Sequence, residues 1–223
     1  MLVVFDLDCT LVDSVRDLAD ATNDVVASYG ADRLPQDEVA AMVGEGARKL
    51  VERALLARGI GAPIDEALER FRAVYDRRLL THTRPYPGIL EAVGDLSRLG
   101  RRLAVLTNKP EAPARRILEA FGLAGHFGWI IGGDGPFARK PDPAGLRHLM
   151  AQAAVPTEAT ILVGDSAIDA ETARRAGVRL CLARYGFGSA RGRIEVARDD
   201  VEIDDPRDVV RVVDRLFERR SVS

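Results

Sequence analysis

Short apolar runs alternate along the chain with longer segments in which apolar residues recur every three or four positions. The runs have the length and composition of buried strands, and the longer segments place residues such as Ile89, Val93 and Leu96 on one helical stripe. This alternation predicts an α/β fold whose core is a Rossmann-like, doubly wound parallel sheet. The predicted strands are Leu2–Phe5, Leu103–Leu106, Trp129–Ile131, Thr160–Val163 and Val178–Leu182, and a closing amphipathic helix is predicted over Val209–Phe217.

Residues 14–85 depart from the alternation because their pattern is helical almost throughout, with Leu18 and Thr22 on one such stripe. The segment comes directly after the first strand and ends in a linker that contains two prolines and a glycine. We therefore predict an all-helical cap domain over 14–85, inserted into an α/β core domain made of residues 1–13 and 86–223.

Composition is that of an ordinary globular protein, with 223 residues, 47% of them apolar, and a formal net charge of −2. The basic residues are scattered among acids, so nucleic acid is not an expected partner. The only cysteines, Cys9 and Cys181, are too few for a disulfide framework. Because no apolar run is long enough for a signal peptide or a membrane span, we expect a cytoplasmic protein without a membrane partner. The oligomeric state stays open.

Ligands of such sheets bind beyond the carboxyl ends of the strands, where Asp6 and Asp8 follow the first strand. The strand relaxes into a loop there, so both carboxylates can converge on one centre, and crowded carboxylates need a cation between them. Taken alone, the pair is equally well explained as solvated acids or a helix cap. The other strand ends change this balance.

Thr107 and Asn108 follow the second predicted strand and can bind phosphoryl oxygens near the start of the next helix. Taken alone, they are better explained as a helix cap. Lys140 follows the third strand and is held in a turn by Pro141 and Pro143. Most lysines are merely solvated, but an ammonium fixed at the strand ends can neutralise both a nucleophilic carboxylate and a phosphoryl group.

Asp165 and Asp169 follow the fourth strand and lie four residues apart at the start of a helix, which places them on one face. Asp165 can ligate a hard cation directly, and Asp169 can ligate it or orient its waters, as expected for Mg²⁺. The alternative is that both acids only stabilise the helix dipole.

In this order, the four motifs resemble those of the haloacid dehalogenase superfamily across essentially the whole chain, and further segments look like its phosphoglycolate phosphatase branch. These segments are Val4–Asp8, Leu11–Ser14, Tyr86–Gly88, Thr107–Pro110, Ile131–Asp134, Lys140–Pro143 and Ala173–Gly177. The resemblance implies a phosphomonoesterase that acts on a small phosphorylated metabolite, with 2-phosphoglycolate as the expected substrate.

The resemblance also implies residue roles that chemistry supports. Asp6 would attack phosphorus and carry an aspartyl-phosphate, and Asp8 would protonate the leaving alcohol and then activate water. Thr107 and Lys140 would hold the phosphoryl oxygens, with Asn108 as a second phosphate contact. Mg²⁺ would be held by Asp6, the main-chain carbonyl of Asp8, Asp165 and Asp169.

Two further positions bear on the site. Cys9 stands where the family motif has glycine, which leaves the loop geometry open, and we expect the activity to be retained. Arg48 follows a glycine-flanked loop in the predicted cap and is our candidate to bind a substrate carboxylate. A solvated arginine, or Lys49 in the same role, is the alternative.

Other activities on the same scaffold stay open. A β-phosphoglucomutase-like mutase, a sugar-phosphate phosphatase or a pyrophosphatase would keep the same four motifs. Carbon–halogen hydrolysis and phosphonate cleavage are disfavoured because they do not need Asp8 as a general acid. A non-catalytic binding module is disfavoured because every acid of the motifs is present.

Overall fold

The structure is a computed structural model that describes residues 1–188 and 194–218. Its centre is a parallel sheet of six strands in the order β5-β4-β1-β6-β7-β8. The strands are β1 (Leu2–Phe5), β2 (Val12–Asp13), β3 (Arg84–Pro85), β4 (Arg102–Leu106), β5 (Trp129–Ile131), β6 (Thr160–Gly164), β7 (Arg179–Ala183) and β8 (Val201–Ile203). All five predicted strands are confirmed within two residues. The sheet gains β8, which the sequence pattern missed because it is short and carries the exposed Glu202 at its centre.

Helices cover both faces of the sheet, which confirms the predicted doubly wound α/β fold. Successive residues of β1 point to opposite faces, so Val3 and Phe5 join one apolar cluster and Leu2 and Val4 join another. The helices are α1 (Val15–Ser28), α2 (Gln36–Ala40), α3 (Ala47–Ala57), α4 (Ile64–Arg78), α5 (Ile89–Arg98), α6 (Glu111–Ala120), α7 (Ala144–Gln152), α8 (Ala167–Ala176) and α9 (Asp208–Glu218).

Helices α1 to α4 form one unit between β2 and β3, and these two short strands pair with each other in antiparallel fashion. The chain therefore leaves and re-enters the core at adjacent points. Asp17, on α1, is fully buried and accepts hydrogen bonds from the main-chain N–H groups of His82 and Thr83, 2.8 to 3.0 Å long. These bonds fasten the returning linker to α1. The division into a cap domain over 14–85 and a core domain stays our prediction.

Among the residues described, no helix combines the length and the apolar character needed to cross a bilayer.

Candidate functional site

The predicted site residues converge at the carboxyl ends of three neighbouring strands, β4, β1 and β6. A cavity of about 500 Å³ opens there between the strand ends and helices α1, α3 and α4. Its walls include predicted residues from all three strand ends: Asp6, Asp8, Thr107, Asn108 and Asp165. Lys140 reaches the same place from below, because its ammonium contacts Asp6.

Asp6 is buried at the floor of this cavity, and its Oδ1 atom is anchored twice. The main-chain N–H of Leu7 donates to Oδ1 at 2.7 Å, and Nζ of Lys140 lies 2.9 Å from the same oxygen. No hydrogen bond to Oδ2 is made by the described residues, so this oxygen is available to an electrophile. Burial raises the pKa of Asp6 to about 6, and the positive charge of Lys140 opposes that rise.

Lys140 joins two carboxylates, because its Nζ also donates to Oδ1 of Asp169 at 2.6 Å. Its side chain is 2% exposed. Although burial by itself lowers the pKa of Lys140, the carboxylates of Asp169 and Asp6 raise it above its ordinary value. Lys140 is therefore a permanent cation beneath Asp6.

Asp169 is fully buried and has both oxygens engaged. Oδ1 accepts from Lys140, and Oδ2 accepts from the hydroxyl of Ser166 at 2.5 Å and from its main-chain N–H at 3.2 Å. With the hydroxyl of Ser166 accepting from the N–H of Asp169, these bonds form a capping box at the start of α8. Asp169 thus fixes Lys140 to the helix.

Asp165 is held by two groups that the sequence analysis did not single out. The hydroxyl of Thr10 donates to Oδ1 at 3.3 Å, and the N–H of Gly188 donates to Oδ2 at 2.6 Å. A Cβ at Gly188 would lie 1.9 Å from the carbonyl oxygen of Asp165, so only glycine fits there. One oxygen each from Asp6, Asp165 and Asp169 lies within 4.8 Å of the others, which is a cluster able to hold a cation.

Asp8 lines the cavity and pairs with a lysine that the sequence analysis missed. Nζ of Lys109 lies 2.9 and 3.0 Å from its two oxygens, and the hydroxyl of Ser14 donates to Oδ1 at 2.6 Å. Lys109 also donates to the hydroxyl of Tyr75, on α4, at 2.8 Å. Lys109 directly follows Thr107 and Asn108, and this position could have indicated its role. The sequence interpretation instead concentrated on the hydroxyl and amide groups of those two residues.

This chain of contacts is buried, and the pKa values reflect it. Burial raises the pKa of Tyr75 to about 12, so its hydroxyl stays protonated. Burial by itself lowers the pKa of Lys109, but the neighbouring carboxylate of Asp8 raises it above its ordinary value, so Lys109 stays positively charged. A side chain of α4 is thereby tied to the second carboxylate of the site.

Thr107 and Asn108 lie at the strand end where they were predicted, and each makes hydrogen bonds within the protein. The hydroxyl of Thr107 accepts from the N–H of Lys109 at 3.2 Å and lines the cavity. Nδ2 of Asn108 donates to the carbonyl oxygens of Gly44, at 2.9 Å, and Lys140, at 3.0 Å. Both hydrogens of the side-chain amide are thus used within the protein, and a phosphate contact of Asn108 stays a prediction. Asn108 instead fastens the loop before α3 to the loop that carries Lys140.

Arg48 is not brought to the main cavity, against our expectation. Its guanidinium forms an ion pair with Asp65, and both side chains are substantially exposed. Arg48 lies in the first turn of α3 and Asp65 in the first turn of α4, so the packing of the two helices brings them together. The arginines whose side chains do line the cavity are Arg72 and Arg139.

Cys9 adopts φ = 62°, the left-handed conformation that glycine takes most easily. The thiol is 2% exposed and packs with Val15 and Ala40. The loop therefore keeps a glycine-like path despite the substitution, at the cost of backbone strain.

Comparisons with known proteins identify relatives over most of the chain. Residues 3–183 match the family described as haloacid dehalogenase-like hydrolase. The chain is 44% identical over 192 residues to a phosphoglycolate phosphatase of Rhodospirillum rubrum, covering 83% of this chain and 80% of that protein. It is 41% identical over 223 residues to phosphoglycolate phosphatase 1 of Pseudomonas aeruginosa, covering 97% and 81%.

A solved structure resembles the whole fold. It is the crystal structure of a protein described as a predicted phosphoglycolate phosphatase from Haemophilus somnus 129PT. The two chains superpose with a TM-score of 0.89 at 29% identity, covering 95% of this chain and 96% of the other.

Proposed function

The chain belongs to the haloacid dehalogenase-like hydrolase family and is a phosphatase, and we propose that it hydrolyses 2-phosphoglycolate to glycolate and phosphate. We further propose that it uses Mg²⁺ and an aspartyl-phosphate on Asp6. The observation that carries the mechanism is the geometry of Asp6, a buried carboxylate with one anchored oxygen and one unbonded oxygen, set above a permanent cation. The named relatives at 41% and 44% identity support the choice of substrate.

In the first half-reaction, Oδ2 of Asp6 attacks phosphorus while the bond from phosphorus to the substrate's ester oxygen breaks. The ester oxygen takes the electron pair of that bond and the proton of a protonated Asp8 carboxyl group, so the product departs as an alcohol and Asp8 is left as a carboxylate. Lys140 stays beside Oδ1 and offsets the negative charge that Asp6 and the phosphoryl group bring together. The hydroxyl of Thr107, a residue that lines the cavity, would bind a phosphoryl oxygen.

In the second half-reaction, Asp8 takes a proton from a water that attacks the same phosphorus. The bond between phosphorus and Asp6 breaks, and the carboxylate and phosphate are released. Asp8 must therefore present its carboxylate on the cavity side in both steps. Ser14 and Lys109 hold that carboxylate at the cavity wall, which makes them positioning residues for the acid–base group.

The residues present fit Mg²⁺, because the cluster of Asp6, Asp165 and Asp169 offers only hard oxygen donors. Asp6, Asp165 and the main-chain carbonyl of Asp8 would hold the ion, and Asp169 would act mainly by fixing Lys140 and orienting water. When bound, Mg²⁺ would screen the repulsion between the Asp6 carboxylate and the phosphoryl group. Gly188 and Thr10 keep Asp165 oriented for this role.

The test is a phosphatase assay of the purified chain with Mg²⁺, comparing kcat/KM for 2-phosphoglycolate, β-glucose 1-phosphate, other sugar phosphates, nucleotides and pyrophosphate. We expect 2-phosphoglycolate to lead, activity to disappear on chelation and return with Mg²⁺, and Asp6→Asn to be inactive yet folded. A mutase would convert glucose 1-phosphate without releasing phosphate. Chelator-resistant hydrolysis, or full activity of Asp6→Asn, would contradict the mechanism.

A further inference from the structure

Two arginines at the cavity wall have no role in the chemistry described above. Arg72 lies on α4, and Arg139 lies in the loop directly before Lys140. Both line the main cavity, and both also line a smaller neighbouring cavity of about 250 Å³. They therefore lie where the phosphoryl site adjoins the helical insertion.

Arg72 has no acidic partner within the described part of the chain and makes no hydrogen bond there. Two other arginines of α4 behave differently, since Arg70 pairs with Glu66 and Arg78 pairs with Asp24. The helix is packed against the rest of the molecule at this point, because the neighbouring Phe71 and Tyr75 are both buried. Arg72 is thus an uncompensated cation on a firmly packed helix.

Arg139 is oriented by one hydrogen bond, from its Nε to the carbonyl oxygen of Gly133 at 2.7 Å. That bond leaves the two terminal NH₂ groups without a partner among the described residues. A Cβ at Gly46 would lie 3.0 Å from Nη1, so the guanidinium packs against the loop before α3. Arg139 therefore extends from the core to the helical insertion, and its two terminal NH₂ groups make no hydrogen bond to the described residues.

Among the described residues, no acid of the two cavity walls forms an ion pair with Arg72 or Arg139. Glu69, on the wall of the smaller cavity only, has no partner in that part of the chain. The engaged acids beyond the phosphoryl site are Asp76, paired with Arg116, Asp134, which accepts from the N–H of Glu111, and Asp65, paired with Arg48. The guanidinium donors of Arg72 and Arg139 therefore stay available to a second anion.

The cavity wall is mainly apolar, with Val43, Leu50 and Phe71 among its residues. Such a wall suits a short hydrocarbon linker better than the hydroxyl-rich body of a sugar. A guanidinium binds a carboxylate with two parallel hydrogen bonds, so a substrate with an anion at each end can engage both sides of the cavity.

We propose that Arg72 and Arg139 are specificity residues that bind the carboxylate of a short phosphorylated carboxylic acid, drawing α4 and the Lys140 loop around it. This inference rests on the proposed phosphatase function and names the group that recognises the distal end of its substrate. A neutral ester has no such group and gains nothing from either arginine.

The test compares 2-phosphoglycolate with ethyl phosphate in the variants Arg72→Gln and Arg139→Gln. We expect each variant to lower kcat/KM for 2-phosphoglycolate by about 10- to 100-fold, the usual loss for a hydrogen bond to a charged group, and to change that for ethyl phosphate by less than about threefold. Arg77→Gln is the matched control, since Arg77 is an exposed arginine of α4 that lines neither cavity.

A second measurement separates this inference from the proposed function. Binding of both esters to Asp6→Asn should show the same selective loss when Arg72→Gln or Arg139→Gln is added, whether or not the enzyme turns over. Equal losses for the two esters, or a selective loss in Arg48→Gln instead, would overturn the assignment. A wild-type preference for 2-phosphoglycolate over ethyl phosphate that persists unchanged in both arginine variants would leave the proposed function standing and remove only this inference.

Discussion

At the scale of single residues, the loop after β1 shows how one position can depart from a family motif without losing the site. Cys9 has a Cβ in a backbone conformation that penalises it, yet Asp6 and Asp8 on the same loop keep their contacts with Lys140 and Lys109. The N–H of Cys9 donates to the carbonyl oxygen of Val12 at 2.8 Å, which closes the turn. The turn is set by the main chain, so the side chain has to follow it.

This predicts an inverted order of stability for two small substitutions. Cys9→Gly should be more stable than Cys9→Ala by about 1 kcal/mol, because both remove the thiol but only glycine relieves the left-handed strain. In ordinary helix or strand positions the order is the reverse. Urea unfolding of the two variants side by side measures the difference, and an alanine variant as stable as the glycine one would show that the turn is not strained.

At the scale of elements, α4 does more than close the cavity. Lys109 donates one hydrogen bond to the hydroxyl of Tyr75 and another to the carboxylate of Asp8. The position of α4 therefore affects the orientation of the acid–base group through these two contacts. The nitrogen of Lys109 also lies 4.7 Å from the centre of the Tyr75 ring. The cavity wall and the chemistry are therefore connected through one helix.

Tyr75→Phe keeps the ring and removes only the hydroxyl. We expect kcat to fall by about tenfold for both 2-phosphoglycolate and ethyl phosphate, with little change in KM, because the orientation of Asp8 is loosened for every substrate. Steady-state kinetics with both esters measures this. Tyr29→Phe is the control, since the buried Tyr29 hydroxyl has no hydrogen-bond partner within the described residues. A loss confined to 2-phosphoglycolate would mean that Tyr75 binds substrate directly.

At the scale of the whole molecule, the burial of Asp6 in the site lowers the stability of the fold at neutral pH. Burial raises the pKa of Asp6 from 3.8 to about 6, so the folded chain binds more protons than the unfolded chain between these values. The contribution of Asp6 to stability is therefore present at low pH and is lost as the pH rises through about 6. At neutral pH the metal-free protein carries an ionised carboxylate that its surroundings disfavour.

Asp6→Asn should consequently gain stability relative to the native chain as the pH rises. We expect its free energy of unfolding, measured in chelator, to improve against wild type by about 2 kcal/mol between pH 4 and pH 7.5, following the size of the pKa shift. Denaturant unfolding at several pH values tests this. A difference that stays constant across the range would mean that the pKa of Asp6 is not raised in the folded protein.

Much of this protein followed from local patterns in its sequence. The apolar runs determined the strands, because a strand buried on both faces must be apolar along its whole length. Asp6, Lys140 and Asp165 each follow a different strand. Because parallel strands end at one edge of the sheet, the sequence alone predicted that these residues lie close together. The short strand β8 was not predicted because its sequence pattern is too brief and too polar to be recognised as a strand.

Only the tertiary structure decided which side chains complete the site. Lys109 and Tyr75 are 34 residues apart, and Thr10 and Asp165 are 155 apart, so no periodicity relates the members of either pair. Arg48 was misplaced for the same reason: its partner Asp65 lies on another helix, and the packing of α3 against α4 determines that they meet. The pattern of apolar and polar residues along a chain indicates which face of a helix or strand a residue occupies. The residue that it contacts on another element depends on how the two elements pack.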